Sequence, residues 1–244
     1  YQSWFGVDKN TLDTNRQYNP AGEIYDDNGN LEGNYDNQVD NYRQDHYQLH
    51  WNQKIDAYTS LSLGLNYTYG RGYYEEYKDL WFEQNINFSS DNNFRYLGLK
   101  PIKIGGTTID TTENIVRKWL DNDYYVATFS LNRQKGNTEW SLGTLYSIYV
   151  GDHFGELIFA NHAPNISPRH RFYENQGNKK EGNVYAKVNH RFNDRVSGYL
   201  DLQYRGIIYT ADGKLKGPEP INIDENYGFF NPKAGLVYTL NPNN

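Results

Sequence analysis

Residues 59–70 alternate strictly between apolar side chains and small or polar ones. Successive side chains of a β-strand point to opposite faces, so this alternation predicts a strand with one apolar and one polar face. The apolar face begins with leucines and ends with tyrosines, which is typical of an outer-membrane barrel strand with an apolar band and an aromatic girdle. We therefore predict that five side chains face lipid: Leu61, Leu63, Leu65, Tyr67 and Tyr69.

The length of this segment agrees with a membrane crossing. Between residues 61 and 69 a strand rises roughly 26 Å, at about 3.3 Å per residue. With a tilt of about 40° it covers about 20 Å of membrane, close to the apolar band of such barrels. The net charge of −6 and the mean hydropathy of −0.92 do not contradict this interpretation, because half of each barrel strand faces water.

The composition argues against several other classes of protein. The chain has no Cys, so neither disulfides nor thiolate metal sites are available. No stretch approaches about eighteen apolar residues, so no membrane-spanning helix is predicted. Lys and Arg are scattered and the chain is mildly acidic, so we predict no nucleic-acid partner. No nucleophile elbow, phosphate-binding loop or dinucleotide fingerprint occurs, so we predict neither an enzyme nor a cofactor.

The alternation recurs along the chain, and the connections between the predicted strands are unequal. They are three or four residues long after the first, third and fifth strands, and roughly fifty, thirty and twenty residues long after the second, fourth and sixth. This asymmetry is typical of short periplasmic turns and long extracellular loops. About seven strands are predicted, at residues 44–55, 59–71, 123–133, 138–150, 182–192, 196–206 and 229–240.

The predicted fold class is all-β: an antiparallel up-and-down meander that forms a partial transmembrane β-barrel. Bacterial barrels close with an even number of strands, from eight upward, so seven strands do not close one. We therefore expect residues 1–244 to be a fragment of one β-barrel domain, taken from the middle of a larger barrel.

The sequence gives little support for a metal centre. The predicted loop 151–181 contains His153, His162 and His170, which are the weak candidates for metal ligands, but no HxxxH or HExxH spacing is present. Residues 26–30 resemble a calcium loop only superficially, because Gly29 is not at the sixth position that an EF-hand requires. The Asn-Gly pair there predicts a hairpin tip instead. We predict no metal site.

The predicted loop 72–122 is rich in aromatic side chains. Such side chains can stack on sugars or on aromatic iron chelates, or they can pack the loop against itself. Residues 102–109, which include Gly105 and Gly106, are predicted to form a small hairpin within the loop. The candidates for ligand contact are Tyr73, Tyr74, Tyr77, Trp81 and Phe82.

Several phrases along the chain resemble barrel segments of one family, the TonB-dependent outer-membrane receptors, in the form found in Bacteroidetes. The matches follow one another in order over nearly the whole chain. They are residues 45–53 (DHYQLHWNQ), 67–78 (YTYGRGYYEEYK), 118–125 (KWLDNDYY), 149–156 (YVGDHFGE) and 230–236 (FNPKAGL).

The resemblance implies a location in the Gram-negative outer membrane and a barrel of about twenty-two strands with an N-terminal plug inside. Such receptors import an iron chelate, cobalamin or a glycan, and TonB drives the import. The implied partners are outer-membrane lipid, the plug domain, TonB and a small nutrient ligand. The plug and the TonB-contacting segment are absent from these residues, so we expect this part alone not to transport anything.

Two alternatives remain open from the sequence. One is a soluble, secreted all-β binding or adhesin domain, which predicts a chain that stays soluble without detergent. The other is a porin without a plug, which would share the same strands. Only sequence upstream of this chain separates the porin from the receptor.

Overall fold

The computed structural model describes residues 8–85, 93–163, 166–216 and 219–240. Its helices are α1 (Lys9–Thr14), α2 (Leu80–Asn85) and α3 (Asn93–Tyr96). No helix in these ranges is long and apolar enough to cross a membrane. Its strands are β1 (Glu23–Tyr25), β2 (Leu31–Asn34), β3 (Asp40–Lys54), β4 (Thr59–Lys78), β5 (Ile102–Ile104), β6 (Thr107–Ile109), β7 (Asn114–Lys135), β8 (Thr138–Ala160), β9 (His170–Arg191), β10 (Val196–Lys216) and β11 (Glu219–Tyr238).

Seven long strands form one antiparallel sheet in the order β3-β4-β7-β8-β9-β10-β11. Each of these strands pairs with the long strand before or after it in the chain, so the sheet is an up-and-down meander. This confirms the predicted fold class. Two short hairpins, β1–β2 and β5–β6, lie outside the main sheet. They confirm the predicted hairpins around residues 26–30 and 102–109.

The register places the five predicted lipid-facing residues on one face, which we call the outer face; the face carrying Ser60 and Ser62 is the inner face. Apolar side chains oppose one another across the strands of the outer face, because Leu63 lies between Trp51 and Phe129. Tyr67 is stacked between Tyr47 and Tyr125, with ring centroids 5.8 and 4.8 Å away. A continuous apolar surface with an aromatic row results, and its contact with lipid stays a prediction.

The aromatic row follows the tilt of the strands. Ile148, rather than a tyrosine, is paired with Tyr125 on the next strand, and Tyr146 lies two residues nearer the short turns. Farther along the sheet, Tyr204 and Phe230 lie four residues nearer the turns than the positions in register with Tyr125. Strands of a barrel tilt against its axis, so a level rim must shift along the register from strand to strand. The observed shift has this form.

The short connections at one end of the sheet agree with the prediction. They comprise residues 55–58, 136–137 and 192–195. In the first turn, Asp56 Oδ1 accepts hydrogen bonds from the backbone N–H groups of Tyr58 (2.7 Å) and Thr59 (2.8 Å). In the second turn, Gly136 has a φ of 60°, which glycine adopts without a steric penalty. Tight closure at this end fixes the register of each hairpin.

The strand boundaries at the other end were predicted wrongly, because most strands are much longer. The predicted segments 59–71, 123–133 and 138–150 become β4, β7 and β8, of 20, 22 and 23 residues. β9 and β10 begin or end at least ten residues beyond 182–192 and 196–206, β11 begins at Glu219 rather than 229, and β3 begins at Asp40 rather than 44. Apolar–polar alternation needs different surroundings on the two faces, whereas backbone pairing does not, so the strands continue where the pattern ends.

The longer strands shorten the long connections. The described strands leave only the stretches between Lys78 and Asn114, Ala160 and His170, and Lys216 and Glu219, not the predicted fifty, thirty and twenty residues. Of the three, residues 79–113 carry α2, α3 and the β5–β6 hairpin. This connection packs onto the inner face of the sheet through a small buried cluster: Phe94, Leu97, Leu99, Val116, Leu157 and Phe172.

Candidate functional site on the inner face

The inner face of the sheet is polar over the part that lies behind the apolar band. Small and amide side chains oppose one another there, as Asn66 accepts a hydrogen bond from Gln48 at 3.2 Å. Charged side chains are paired across strands, and Arg205 donates two hydrogen bonds to Glu181, at 2.7 and 2.9 Å. Such groups are stable next to water and costly in a dry core. The two faces of the same strands therefore suit different environments.

Four tyrosines point to the inner face, farther from the short turns than this polar region. We call them the tyrosine wall: Tyr42, Tyr124, Tyr149 and Tyr209. Glycines make room for two of them, because the Tyr149 ring lies where a Cβ at Gly151 would project. The hydroxyl of Tyr42 occupies the corresponding space at Gly70 and donates a 2.7 Å hydrogen bond to Asn122 Oδ1. Aromatic rings that cover strand glycines in this way are held flat against the sheet.

The surroundings of the tyrosine wall include neutral hydrogen-bonding groups, and Lys179 lies in register between Tyr149 and Tyr209. The rings of Tyr124 and Tyr149 lie 6.4 Å apart between centroids. Farther from the short turns, His153 Nδ1 lies 3.2 Å from Asn175 Oδ1 on the neighbouring strand. Aromatic faces beside amide and imidazole groups are typical of small-molecule binding surfaces, since rings provide contact area and polar groups fix orientation. This is the candidate ligand-contact surface of the chain.

An ion pair lies on the inner face near the end of the sheet that is away from the short turns, where the 79–113 connection covers the sheet. Lys118 Nζ lies 3.0 Å from Glu76 Oε2, and its ammonium stands 5.2 Å from the centroid of the Tyr74 ring. Burial by itself opposes the charged form of Lys118, but the nearby Glu76 carboxylate outweighs it and raises the pKa of Lys118 above its usual value. The lysine therefore stays charged and pairs with Glu76 across β4 and β7.

A second charged cluster lies on the outer face, at the same distance from the short turns. Glu75 is 2 % exposed and accepts hydrogen bonds from Tyr35 (2.5 Å), Asn37 (2.5 Å) and Arg117 (2.6 Å). The Arg117 guanidinium also lies over the ring of Tyr73, 4.4 Å from its centroid. These contacts connect β4 and β7 to the segment that follows the β1–β2 hairpin.

The pKa of Glu75 reflects this environment. Burial by itself would raise it, but the hydrogen bonds from Tyr35, Arg117 and Asn37 outweigh burial and bring it below the usual glutamate value. The pKa of Tyr35 is raised to about 12, first by burial and then by its hydrogen bond to the carboxylate. The hydrogen bonds of the cluster therefore stabilise the ionised form of Glu75.

We expect acid to loosen residues 23–38 selectively. A lowered carboxyl pKa gives stability that is complete above the unfolded-state value of 4.5 and is lost as pH falls through the lower folded-state value. Hydrogen exchange of the receptor should therefore show loss of protection at residues 23–38 as pH falls below about 4.5. In Glu75→Gln this acid step should disappear. An identical step in that variant would contradict the role of Glu75.

The structure does not bring the five predicted ligand-contact residues together. Tyr73 lies on the outer face under Arg117, whereas Tyr74 lies on the inner face beside Lys118, because neighbours in a strand point to opposite faces. Tyr77 lies 5.8 Å from Tyr35, Trp81 is stacked on Tyr25 at 4.8 Å, and Phe82 is buried. Their role in ligand contact stays a prediction, and only Tyr74 shares a face with the tyrosine wall.

The three predicted histidines are also separated. His153 is in β8 on the inner face, and His170 Nε2 lies 3.1 Å from the carbonyl oxygen of Leu97. The backbone N–H of His162 donates to Thr112 Oγ1. Residues 151–160 and 170–181, predicted as loop, are strand. Within the described ranges, no group of three or more His, Asp or Glu side chains is placed to hold a metal ion.

The tyrosine wall was missed because its members fall on the polar side of the alternation. Tyr124 and Tyr149 lie next to apolar-face residues in sequence and do not interrupt the pattern. A signal was present nevertheless, since Tyr149 is followed two positions later by Gly151, on the same face of the strand. Such tyrosine–glycine pairs at a spacing of two indicate where rings lie flat on a sheet.

An antiparallel meander with an apolar outer face, an aromatic rim and a polar inner face defines the wall of an outer-membrane type of β-barrel. The family model described as "TonB dependent receptor-like, beta-barrel" matches residues 2–244. The chain therefore belongs to this family, whose barrels lie in the outer membrane of Gram-negative bacteria.

Among solved structures, the chain is similar to the ferric-catecholate import receptor Fiu of Escherichia coli K12 in its closed form. The TM-score is 0.50 at 14% sequence identity, and the match covers 88% of this chain and 33% of that receptor. The chain thus spans about a third of the length of this relative, and the likeness concerns the fold. No curated protein sequence matches the chain. Its assignment to a Bacteroidetes type stays a prediction.

Proposed function

We propose that residues 1–244 form part of the barrel domain of an outer-membrane receptor that imports a scarce small nutrient. Membership of the TonB-dependent receptor barrel family is the observation that carries this proposal. The remaining partners follow from it: outer-membrane lipid around the wall, a plug domain inside the barrel, and TonB as the source of energy. The nutrient is an iron chelate, cobalamin or a glycan.

Within this receptor, we propose that the tyrosine wall contacts the nutrient on its way into the barrel. The rings point to the inner face, and glycines beneath Tyr42 and Tyr149 keep the surface there flat. The neighbouring amides, such as Asn122 and Asn175, supply hydrogen bonds that orient a ligand. The nearest charges are Lys179, which is paired in register with both Tyr149 and Tyr209 and lies 2.9 Å from Glu181, and Glu225, which is paired with Tyr209. Recognition therefore combines stacking and hydrogen bonds with the charged groups that lie beside the rings.

We expect the double variant Tyr149→Ala/Tyr209→Ala to lower nutrient uptake about thirtyfold, because two aromatic contacts of about 1 kcal/mol each are lost. Uptake by cells carrying the whole receptor is measured with three probes: an iron-loaded catecholate chelate, cyanocobalamin and a malto-oligosaccharide. Surface levels of receptor are matched by outer-membrane fractionation. Unchanged uptake of the probe that the wild type imports would contradict the role of the tyrosine wall.

The control Tyr146→Ala removes a tyrosine from the same strand but from the outer face. It should leave uptake within about twofold of the wild type, because it has no access to the interior. Uptake that persists without TonB would identify a passive porin instead of a receptor. A receptor found in the soluble fraction would contradict the proposed function altogether.

A further inference from the structure

The outer face of β8–β11 carries a groove of about 660 Å³. Its floor is formed by Gly182, Gly206 and Gly228, which are directly paired across three adjacent strands. Tyr146 and Tyr204 of the aromatic row border the groove, which extends from these two residues away from the short turns. Its walls therefore belong to the face that the proposed function places against lipid.

Two of the floor glycines leave space that no protein atom uses. A Cβ added at Gly182 would have its nearest neighbour at 3.9 Å, and one at Gly206 at 4.0 Å. Other glycines of the sheet, such as Gly143 and Gly235, lie under the rings of Tyr185 and Tyr199, so they are needed for packing. Gly182 and Gly206 are not needed in that way, although glycine weakens a strand. The groove is therefore open because the sequence has glycine at positions 182 and 206, where the packing of the sheet does not require it.

The charge in the groove differs between its two ends. Tyr204 and Val184 line the end at the aromatic rim, whereas Lys180 and Asn226 line the end away from it. Lys180 makes no ion pair within the described residues, and no carboxylate there lines the groove. An apolar end at the rim and one unpaired ammonium group beyond it match a molecule with an acyl chain and an anionic head group.

We infer that this groove binds one outer-leaflet lipid, with an acyl chain over the glycine floor and its phosphate at Lys180. The inference rests on the proposed function, because it needs the outer face to lie in the membrane. Glycine at the paired positions 182 and 206 admits the chain close to the backbone, where dispersion contacts with the sheet are most numerous. The ammonium of Lys180 supplies a charge-assisted hydrogen bond to the phosphate.

The test uses the whole receptor, reconstituted in nanodiscs, and native mass spectrometry of the lipids that it retains. The probes are phosphorylated lipid A and the same lipid without phosphate. Gly206→Leu fills the groove and favours the strand, so it should fold and retain about tenfold less of the phosphorylated probe. Lys180→Gln should abolish the preference for the phosphorylated probe, which we expect to be about tenfold in the wild type.

The matched control is Lys187→Gln, which removes a lysine from the inner face of the same strand. It should retain lipid like the wild type. Equal retention by the wild type and Gly206→Leu, or an unchanged phosphate preference in Lys180→Gln, would overturn the inference. So would a receptor dimer that is lost in Gly206→Leu, because a second copy would then be the occupant. Outer-membrane fractionation of each variant separates these results from a failure of the proposed function.

Discussion

Leu63→Arg should lower the free energy of unfolding of the assembled barrel by about 2–4 kcal/mol, the penalty for a cation at the middle of a lipid-facing strand. Leu63 lies between Trp51 and Phe129 and halfway down the apolar surface of β4. An arginine there cannot reach water without distorting those neighbours. A folding titration of the receptor into lipid vesicles measures the difference.

The control for this prediction is Ser62→Arg, one position away in the same strand. Ser62 faces inward between Asn52 and Ser130, so an arginine there meets polar side chains. We expect it to change stability by less than about 1 kcal/mol. Asn66→Arg, also on the inner face, should be similarly mild. Equal losses in Leu63→Arg and Ser62→Arg would contradict the assignment of the two faces.

Arg117→Met should destabilise the upper part of the sheet by about 3 kcal/mol, because it leaves the buried carboxylate of Glu75 without its cation. Tyr35 and Asn37 still donate to Glu75, but neither neutralises it. The loss should be local, since these contacts connect β4 and β7 to the segment after the β1–β2 hairpin. Hydrogen exchange at residues 35–39 and 73–78 should increase at neutral pH.

Arg71→Met provides the comparison for Arg117→Met. Both arginines lie on the outer face against aromatic rings, and Arg71 lies over Trp119 at 5.4 Å. Its side chain is 52% exposed, however, and its partner Asp121 is 3.4 Å away. Exposed pairs of this kind contribute about 0–1 kcal/mol, so exchange should change little. A similar increase in both variants would show that stacking, and not the buried ion pair, stabilises this region.

Much of the seven-stranded sheet could be predicted from the sequence, because the side chains on one face of a strand occupy every second position and reflect the surroundings of that face. The run from Leu61 to Tyr69 predicts a strand, its apolar face and the end at which the rim lies. The turns at 56–58 and 193–195 follow from their short, polar sequences. The apolar–polar alternation ends where the surroundings of the two faces are similar, as in residues 72–78 and 151–160. The strands were therefore predicted too short.

The sites could be predicted much less well, because their residues are far apart in the sequence. Tyr73 and Tyr74 are neighbours in the chain but lie on opposite faces of β4, so an aromatic-rich segment does not by itself form a site. The tyrosine wall joins Tyr42 to Tyr209, and only the strand order brings them to one surface.

The sequence by itself determined that the chain is an antiparallel meander with one apolar and one polar face, because side-chain alternation is a local property of each strand. Only the tertiary structure decided which residues of different strands lie side by side. The register pairs Gly182 with Gly206 and Gly206 with Gly228, and so makes a groove from three glycines that are separate in the sequence. Register is set by pairing across strands, and no single segment of sequence contains it.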